Sequence, residues 1–112
     1  PAVANLEVIN ALVEGAKKEG CEFHTGVVQC KDSFYGQHEP ENMPAEHRLK
    51  ERWEAWRRGN VLTSEMESAA IFVISSIRGC RASSIMAYTE MEKTVKVACE
   101  AIKILIERDS KS

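Results

Sequence analysis

The chain has 112 residues, fewer than the roughly 150 of an average domain, so residues 1–112 are expected to form one unit at most. Its 15 Lys and Arg residues nearly balance its 17 Asp and Glu residues, and the net charge of −2 excludes the basic surface that nucleic acids or anionic membranes attract. The 44% of apolar and 29% of charged residues are typical of a soluble globular protein, and no apolar run approaches the roughly 20 residues of a membrane-spanning helix.

The four cysteines, at positions 21, 30, 80 and 99, form no Cys-x-x-Cys pair and lie among apolar residues. This pattern predicts small buried side chains in a reducing cytosol rather than disulfides or metal ligands. No signal-peptide pattern opens the chain, and we therefore expect a cytoplasmic protein. Because no Met precedes Pro1, we also expect that the sequence is incomplete at its start.

The first half of the chain predicts a helix, a strand and a long loop. Residues 4–19 place apolar side chains at helical spacing, and Gly20 ends the helix. The predicted buried stripe consists of Leu6, Ile9, Val13 and Ala16. Residues 23–31 are rich in small and β-branched side chains and predict a strand. Residues 32–44 predict a loop, which is longer than most connections and is therefore a candidate for function.

The second half continues the alternation of helices and strands. Residues 45–58 predict a charged, mostly exposed helix, and residues 61–63 predict a very short strand. Residues 65–78 and 89–108 predict two helices, with a small apolar strand at residues 80–88 between them. The predicted buried side chains of these two helices are Met66, Ala70, Val73 and Ile77, and then Met91, Val95, Ala98, Ile102 and Leu105.

This order of elements predicts an α/β fold in layers, with a mixed sheet flanked by helices and at least some parallel strands. Three strands would make a thin sheet with exposed edges. The architecture therefore resembles part of a larger sheet.

Two segments match the pattern Ser/Thr-x-x-Glu, which is typical of a capping box at a helix start. They are Ser64–Glu67 and 89–92, and a cap is the default interpretation of each. The first segment differs because small residues follow it and a predicted strand precedes it, and ligands of open α/β sheets bind at the carboxyl ends of strands. Glu65 and Glu67 could each accept hydrogen bonds from the hydroxyls of a vicinal diol.

The loop after the first strand is the second concentration of functional side chains. Within eight residues it brings together Lys31, Phe34, Tyr35, Gln37 and His38. An aromatic face can stack on a planar ring, and an amide offers a donor and an acceptor that match the edge of a heterocyclic base. The alternative is a polar surface loop with a buried Phe anchor. The two tryptophans of the charged helix are expected to pack against the protein rather than to stack on a base.

The string Phe-Tyr-Gly-Gln at residues 34–37, followed by Ser-Glu-Met-Glu-Ser-Ala at residues 64–69, resembles the nucleoside phosphorylases and specifically the bacterial uridine phosphorylases. The order of elements fits their fold, and the resemblance covers almost the whole chain but only the C-terminal part of the family's domain. It implies a partial nucleoside-phosphorylase-like layered fold.

The resemblance also implies the reaction: uridine and phosphate give uracil and ribose 1-phosphate, with no metal and no organic cofactor. Phe34 would stack near the base, and Gln37 would pair with the uracil edge. Glu67 would hold the ribose hydroxyls, with Met66 under the sugar and Glu65 supporting the site. The complete enzyme is expected to be a homo-oligomer that binds nucleoside and phosphate.

The chain departs from the family pattern in three places. No Arg follows Gln37 two residues on, and we assign its role toward the uracil oxygens to Lys31 and His38; the alternative is that Lys31 pairs with Asp32 or Glu39 and His38 is solvated. Residues 82–89 form a shortened segment. The Gly-rich phosphate loop and the phosphate-binding arginines are missing, so the isolated chain is expected to be inactive.

Two other functions stay open at this point. One is a purine nucleoside phosphorylase or a related nucleosidase, and the other is an inactive module that binds nucleoside or oligomerises.

Overall fold

The structure, a computed structural model, describes residues 1–88 and 90–111. Within this part of the chain it contains five α-helices, one 3₁₀ helix and two short strands, which confirms the mixed α/β class. In chain order they are α1 (Leu6–Lys18), β1 (Val28–Cys30), α2 (Phe34–His38), the 3₁₀ helix (Pro40–Asn42), α3 (Glu46–Arg58), β2 (Thr63–Glu65), α4 (Ser68–Arg78) and α5 (Met91–Ser110).

Packing divides the chain into two compact units. The first combines Pro1–His24 with the described residues from Ser68 onward, and it contains α1, α4 and α5. The second is Thr25–Glu67, which contains both strands, α2 and α3. Every residue that the sequence predicts to bind base or ribose lies in this second unit.

The first unit is built on the packing of α1 against α5. Small residues make much of this contact: Ala11 and Gly15 on α1 are buried together with Ala101 on α5, and Ile104 packs beside them. A Cβ atom on Gly15 would lie only 2.8 Å from the carbonyl oxygen of Val97. Glycine at this position therefore permits the close approach of the two helices.

Arg81 links the ends of the same two helices. Its guanidinium donates to Glu7 Oε2 on α1 at 2.8 Å and to Asp109 Oδ2 on α5 at 2.5 Å. These two carboxylates raise the pKa of Arg81 above its ordinary value. Next to it, the backbone N–H of Asn5 donates to the carbonyl oxygen of Ala82 at 2.8 Å. The chain after α4 is thus tied to the start of α1.

The side chains that helical spacing predicted to be buried are only partly so: on α1, Ala16 is buried and Ile9 and Val13 are half-buried, and on α5, Ala98 and Leu105 are half-buried. The exposed members of the two predicted stripes are Leu6, Met91, Val95 and Ile102. The reason is that α5 carries a second apolar set, Val97, Ala101 and Ile104, on another side of the helix. This second set is the one that is buried, since it faces the small residues of α1.

The prediction for the helix at residues 65–78 is also wrong in its start and in its buried face. The helix begins at Ser68, so Met66 precedes it, and Ala70, Val73 and Ile77 are exposed. Apolar residues occur on most sides of α4, and such a helix gives no single stripe from which the buried face can be predicted.

The second unit contains a two-stranded parallel sheet. β1 pairs with β2 in the register Val28 with Thr63, Gln29 with Ser64 and Cys30 with Glu65. Because the strands are parallel, their carboxyl ends lie at the same edge of the sheet. The residues that follow each strand are therefore brought together.

The predicted loop at residues 32–44 contains two short helices. Ser33 caps α2, because its Oγ accepts a hydrogen bond from the backbone N–H of Gly36 at 3.0 Å. Pro40 opens the 3₁₀ helix, where its missing N–H costs nothing. Gly36, Pro40 and Pro44 favour a loop when only the sequence is considered. The cap by Ser33 and the place of Pro40 at a helix start nevertheless allow two short helices to form.

The strands are shorter than predicted. The strand expected at residues 23–31 is confined to β1, and the one expected at residues 61–63 lies at Thr63–Glu65. The described residues at 80–88 form no strand, so that prediction is wrong. An apolar segment becomes a strand only where a neighbouring strand pairs with it, and in the described part of the chain β1 and β2 pair only with each other.

The charged helix predicted at residues 45–58 is confirmed as α3, which buries none of its residues. Glu54 Oε1 accepts hydrogen bonds from Arg57 at 2.7 Å and Arg58 at 3.0 Å. These hydrogen bonds lower the pKa of Glu54 to about 2. The carboxylate is therefore ionised throughout the neutral range, and it holds two cations in the last turn of the helix.

All four cysteines are free thiols, and the cysteines at positions 80 and 99 are exposed rather than buried as predicted. Among the described residues, no helix has both the length and the apolar composition that a membrane span requires.

Candidate functional site

The two candidate segments meet at the carboxyl ends of β1 and β2. Lys31 directly follows β1, while Met66 and Glu67 directly follow β2. The backbone N–H of Lys31 donates to the carbonyl oxygen of Glu65 at 2.9 Å, which extends the pairing beyond the strand ends. The parallel register therefore places Lys31 next to Glu65 along the backbone, at the sheet edge where the turn with Glu67 begins.

Ser64 lies at the centre of a group of polar side chains. Its Oγ accepts a hydrogen bond from Lys31 Nζ at 3.2 Å and donates to Gln29 Oε1 at 3.0 Å. A third contact joins it to Gln37 Oε1 at 3.4 Å. The group links β1, β2 and α2, and the amide of Gln37 is held beside the amine of Lys31.

Phe34 forms the apolar part of the site. Its side chain is 50% exposed at the start of α2, and the ring of His38 lies 4.2 Å from its centroid. Lys31 Nζ lies 5.8 Å from the same centroid, within the range of a cation–π interaction. The structure thus brings Lys31 and His38 to one aromatic ring. The amine of Lys31 bonds Ser64 Oγ, and the described residues show no ion pair of Lys31 with Asp32 or Glu39.

The carboxylates after β2 hold the backbone of their own turn. Glu65 Oε2 accepts a hydrogen bond from the backbone N–H of Glu67 at 2.7 Å, and Glu67 Oε2 accepts one from Met66 at 3.3 Å. Glu67 and Met66 are exposed, whereas Glu65 is half-buried. Two acidic side chains at an exposed turn can bind hydroxyl groups, since an ionised carboxylate accepts several hydrogen bonds.

The capping-box interpretation of Ser64–Glu67 is wrong. Ser64 lies inside β2, and its hydroxyl bonds side chains instead of a helix N–H. The matching pattern at residues 89–92 includes a position that lies outside the described residues. Its Glu92 lies in the first turn of α5 and pairs with Lys96 at 3.6 Å.

An open cavity of about 550 Å³ adjoins the site. Residues of the site and aromatic residues of α3 line it together, among them Lys31, Gln37, His38, Ser64, Trp53 and Trp56. Trp53 is half-buried and Trp56 is 40% exposed. The tryptophans therefore contribute wall surface to the cavity that Gln37 and His38 also line.

The described residues contain no group of three or more His, Cys, Asp or Glu side chains that is suitable for a metal ion. The polar groups of the site are instead one amine, one imidazole, two amides, one hydroxyl and two carboxylates. Such groups donate and accept hydrogen bonds, so they suit a polar molecule.

Sequence reasoning missed the roles of Gln29 and Ser64. Ser64 was assigned to a helix cap, and Gln29 was given no role. The parallel register that pairs Gln29 with Ser64 shows that they act together. The only sequence signal for this contact was that both positions lie near the ends of predicted strands.

Comparison with known proteins gives the class to which this fold and site belong. The sequence profile of the phosphorylase superfamily matches residues 1–105, and the chain belongs to this superfamily. This result confirms the resemblance drawn from residues 34–37 and 64–69.

Three uridine phosphorylases are similar to the chain. That of Treponema pallidum is 40% identical over 98% of this chain and 49% of its own length. That of Thermococcus kodakarensis is 35% identical over 97% of this chain and 44% of its own length. That of Escherichia coli is 34% identical over 96% of this chain and 47% of its own length.

The chain thus spans about half the length of the curated relatives that it matches. The alignment with the Treponema relative extends over 126 positions, whereas the chain has 112 residues. The relative therefore has internal residues that this chain lacks.

Proposed function

We propose that this chain supplies the base- and ribose-binding part of a uridine phosphorylase site. The reaction is the reversible transfer of ribose from uracil to phosphate, which gives ribose 1-phosphate. The observation that carries the proposal is the parallel pairing of β1 with β2, because the group of Lys31, Gln37 and Ser64 and the turn at Glu65–Glu67 both lie where the two strands end.

Base binding is assigned to the side chains around Phe34. Its half-exposed ring offers an apolar surface for a planar base, and Gln37 offers an amide for the uracil edge. When the glycosidic bond breaks, negative charge develops on the base. Lys31 and His38 are the donors that we assign to this charge, because both lie against the Phe34 ring.

Ribose binding is assigned to the turn after β2. Glu67 uses only Oε2 within the described part of the chain, so Oε1 is available to the ribose hydroxyls. Met66 is exposed beside it and offers an apolar surface to the sugar, and Glu65 holds the backbone N–H of Glu67. In this proposal Glu67 binds the ribose and Glu65 holds the turn that carries Glu67.

Phosphate is the co-substrate in this proposal, and neither an organic cofactor nor a metal is required. The phosphate-binding groups are not assigned to this chain. A cytoplasmic location and a homo-oligomeric enzyme also belong to the proposal, and the family resemblance is what supports them.

Activity is tested in a chimera in which this chain replaces the aligned part of the Treponema pallidum uridine phosphorylase. We expect the chimera to release uracil from uridine only when phosphate is present. We expect Glu67→Ala to lower kcat/KM for uridine by about 10- to 100-fold, because a hydrogen bond to a charged group contributes about 1.5–3 kcal/mol. The loss for 2′-deoxyuridine should be smaller, since that substrate lacks one of the hydroxyls.

The matched control is Glu92→Ala, which removes a carboxylate from the first turn of α5 and leaves the site unchanged. This substitution should leave the ratio of kcat/KM for uridine to kcat/KM for 2′-deoxyuridine unaltered. Equal losses on both substrates for Glu67→Ala would show that Glu67 only holds its turn. A folded chimera without phosphate-dependent activity would refute the proposed function.

A further inference from the structure

Helix α5 carries apolar side chains on two sides, and only one of them is covered. The buried set, Val97, Ala101 and Ile104, packs toward α1. The other set, which we name the outer stripe of α5, consists of Met91, Val95, Ile102 and Ile106. At about 100° of rotation per residue, these four positions lie within roughly 60° of one another and away from the buried set. Each of them is more than half exposed, so the described part of the chain leaves the outer stripe uncovered.

Helix α4 is apolar but hardly buried. Its one charged residue is Arg78 at the C-terminal end, and its one buried residue is Ser68. Ile71, Ile74 and Ile77 follow one another at steps of three and are 46%, 59% and 77% exposed. A helix that faces water normally carries charged residues along its outer side, as α3 does, whereas a helix that is apolar on most sides is normally enclosed. Exposed apolar surface of this kind marks a site of interaction.

The length of the relatives indicates what covers these two helices. The Treponema pallidum relative aligns with 98% of this chain over only 49% of its own length, so about half of that relative lies outside the aligned region. The two-stranded parallel sheet points the same way, because parallel strands normally belong to larger sheets that are covered on both faces. A second copy of this chain would cover one face of α4, but it would not enclose the helix.

We propose that α4 and the outer stripe of α5 form a docking surface for the complementary part of a phosphorylase domain, which is the part of the Treponema relative outside the aligned region. The contact is apolar, since the outer stripe and all of α4 before Arg78 carry no charge. The inference goes beyond the proposed function, because it concerns an interaction surface of the first unit and not the nucleoside.

The test co-expresses the 112-residue chain with an affinity-tagged segment of the Treponema enzyme that comprises the residues outside the alignment. We expect the chain to be purified with the tagged segment as an equimolar complex, measured by light scattering after gel filtration. Amide hydrogen exchange in α4 should be slower in this complex than in the chain alone, because docking suppresses local opening of the helix.

Two substitutions place a charge on the docking surface, Ile74→Lys on α4 and Ile102→Glu on the outer stripe. Each should lower the amount of chain recovered with the segment by about 10-fold or more, since an unpaired charge in an apolar contact is strongly unfavourable. Both side chains are exposed in the chain, so its circular dichroism should stay unchanged. The matched control is Lys103→Glu, which adds the same carboxylate beside Ile102 on the side of α5 where Lys103 pairs with Glu100, and recovery should be unaltered.

Three outcomes would overturn the inference: a segment that is insoluble or is purified without the wild-type chain, equal recovery for all variants, and a chain that forms its own dimer through Ile74 and Ile102 but does not bind the segment. The last would make a second copy the occupant. Because complex formation is measured without nucleoside, its failure leaves nucleoside binding by the second unit untouched. An equimolar complex that binds no uridine would count against the proposed function alone.

Discussion

Ile104→Ala should lower the free energy of unfolding of the chain by about 2–5 kcal/mol, the usual range for an isoleucine truncated in a core. Ile104 is 6% exposed and packs with Ala11 and Ala101 where α5 meets α1. Leu12 and Leu105 also pack against this cluster, and close-packed neighbours fill the space that such a substitution leaves only in part. Urea unfolding followed by circular dichroism measures the change.

Ile102→Ala is the matched control, since it removes the same atoms from the same helix two residues away. Ile102 is 57% exposed, and a surface substitution usually changes stability by less than about 0.5 kcal/mol. Helical spacing alone predicts the reverse order, with Ile102 in the buried stripe. A larger loss for Ile102→Ala than for Ile104→Ala would contradict the observed packing of α5.

Lys31→Ala and His38→Ala should each lower turnover of uridine in the chimera by about 10²–10³-fold. This is the effect, about 2.7–4 kcal/mol, of losing one donor that stabilises charge in a transition state. Both residues lie against Phe34, and Lys31 is also held by Ser64. Steady-state kinetics of uracil release measures the loss.

The diagnostic comparison uses a nucleoside with a more acidic base, such as 5-fluorouridine. Because its leaving group needs less stabilisation, both substitutions should lower turnover of 5-fluorouridine much less than they lower turnover of uridine. Lys50→Ala is the control, because it removes another amine that lines the same cavity but pairs with Glu46 on α3. The same loss on both substrates would show that Lys31 and His38 do not contact the developing charge.

Much of the helical structure could be predicted from the sequence. Apolar spacing and the stop at Gly20 placed a helix at residues 4–19, and α1 occupies Leu6–Lys18. The charged helix α3 matches its predicted bounds within one residue. These features depend on local spacing and on helix ends, which neighbouring residues determine.

The buried faces of α4 and α5 could not be predicted from spacing. α5 carries apolar residues on more than one side, and spacing does not say which side finds a partner. The answer depends on small residues of another helix, above all Gly15, whose missing side chain admits the backbone at Val97. Such complementarity between distant segments is a property of the packed structure.

The candidate site was also only partly predictable, because the residue types are given by the sequence but the contacts between distant residues are not. The residue types at positions 31–38 and 65–67 indicated a polar ligand, and the strand ends indicated where it binds. Ser64 was misassigned because the pattern Ser-x-x-Glu is common at helix starts, and only the pairing of Gln29 with Ser64 shows its contacts. Strand register is set by distant residues and is weakly encoded in three-residue strands.

The central claim is that the second unit of this chain holds the nucleoside, and a titration of the ¹⁵N-labelled chain with uridine tests it most directly. The backbone resonances of residues 29–38 and 63–67 should shift in a saturable way, while those of α1 and α5 should stay unchanged. No saturable shift, or shifts confined to α1 and α5, would contradict the account.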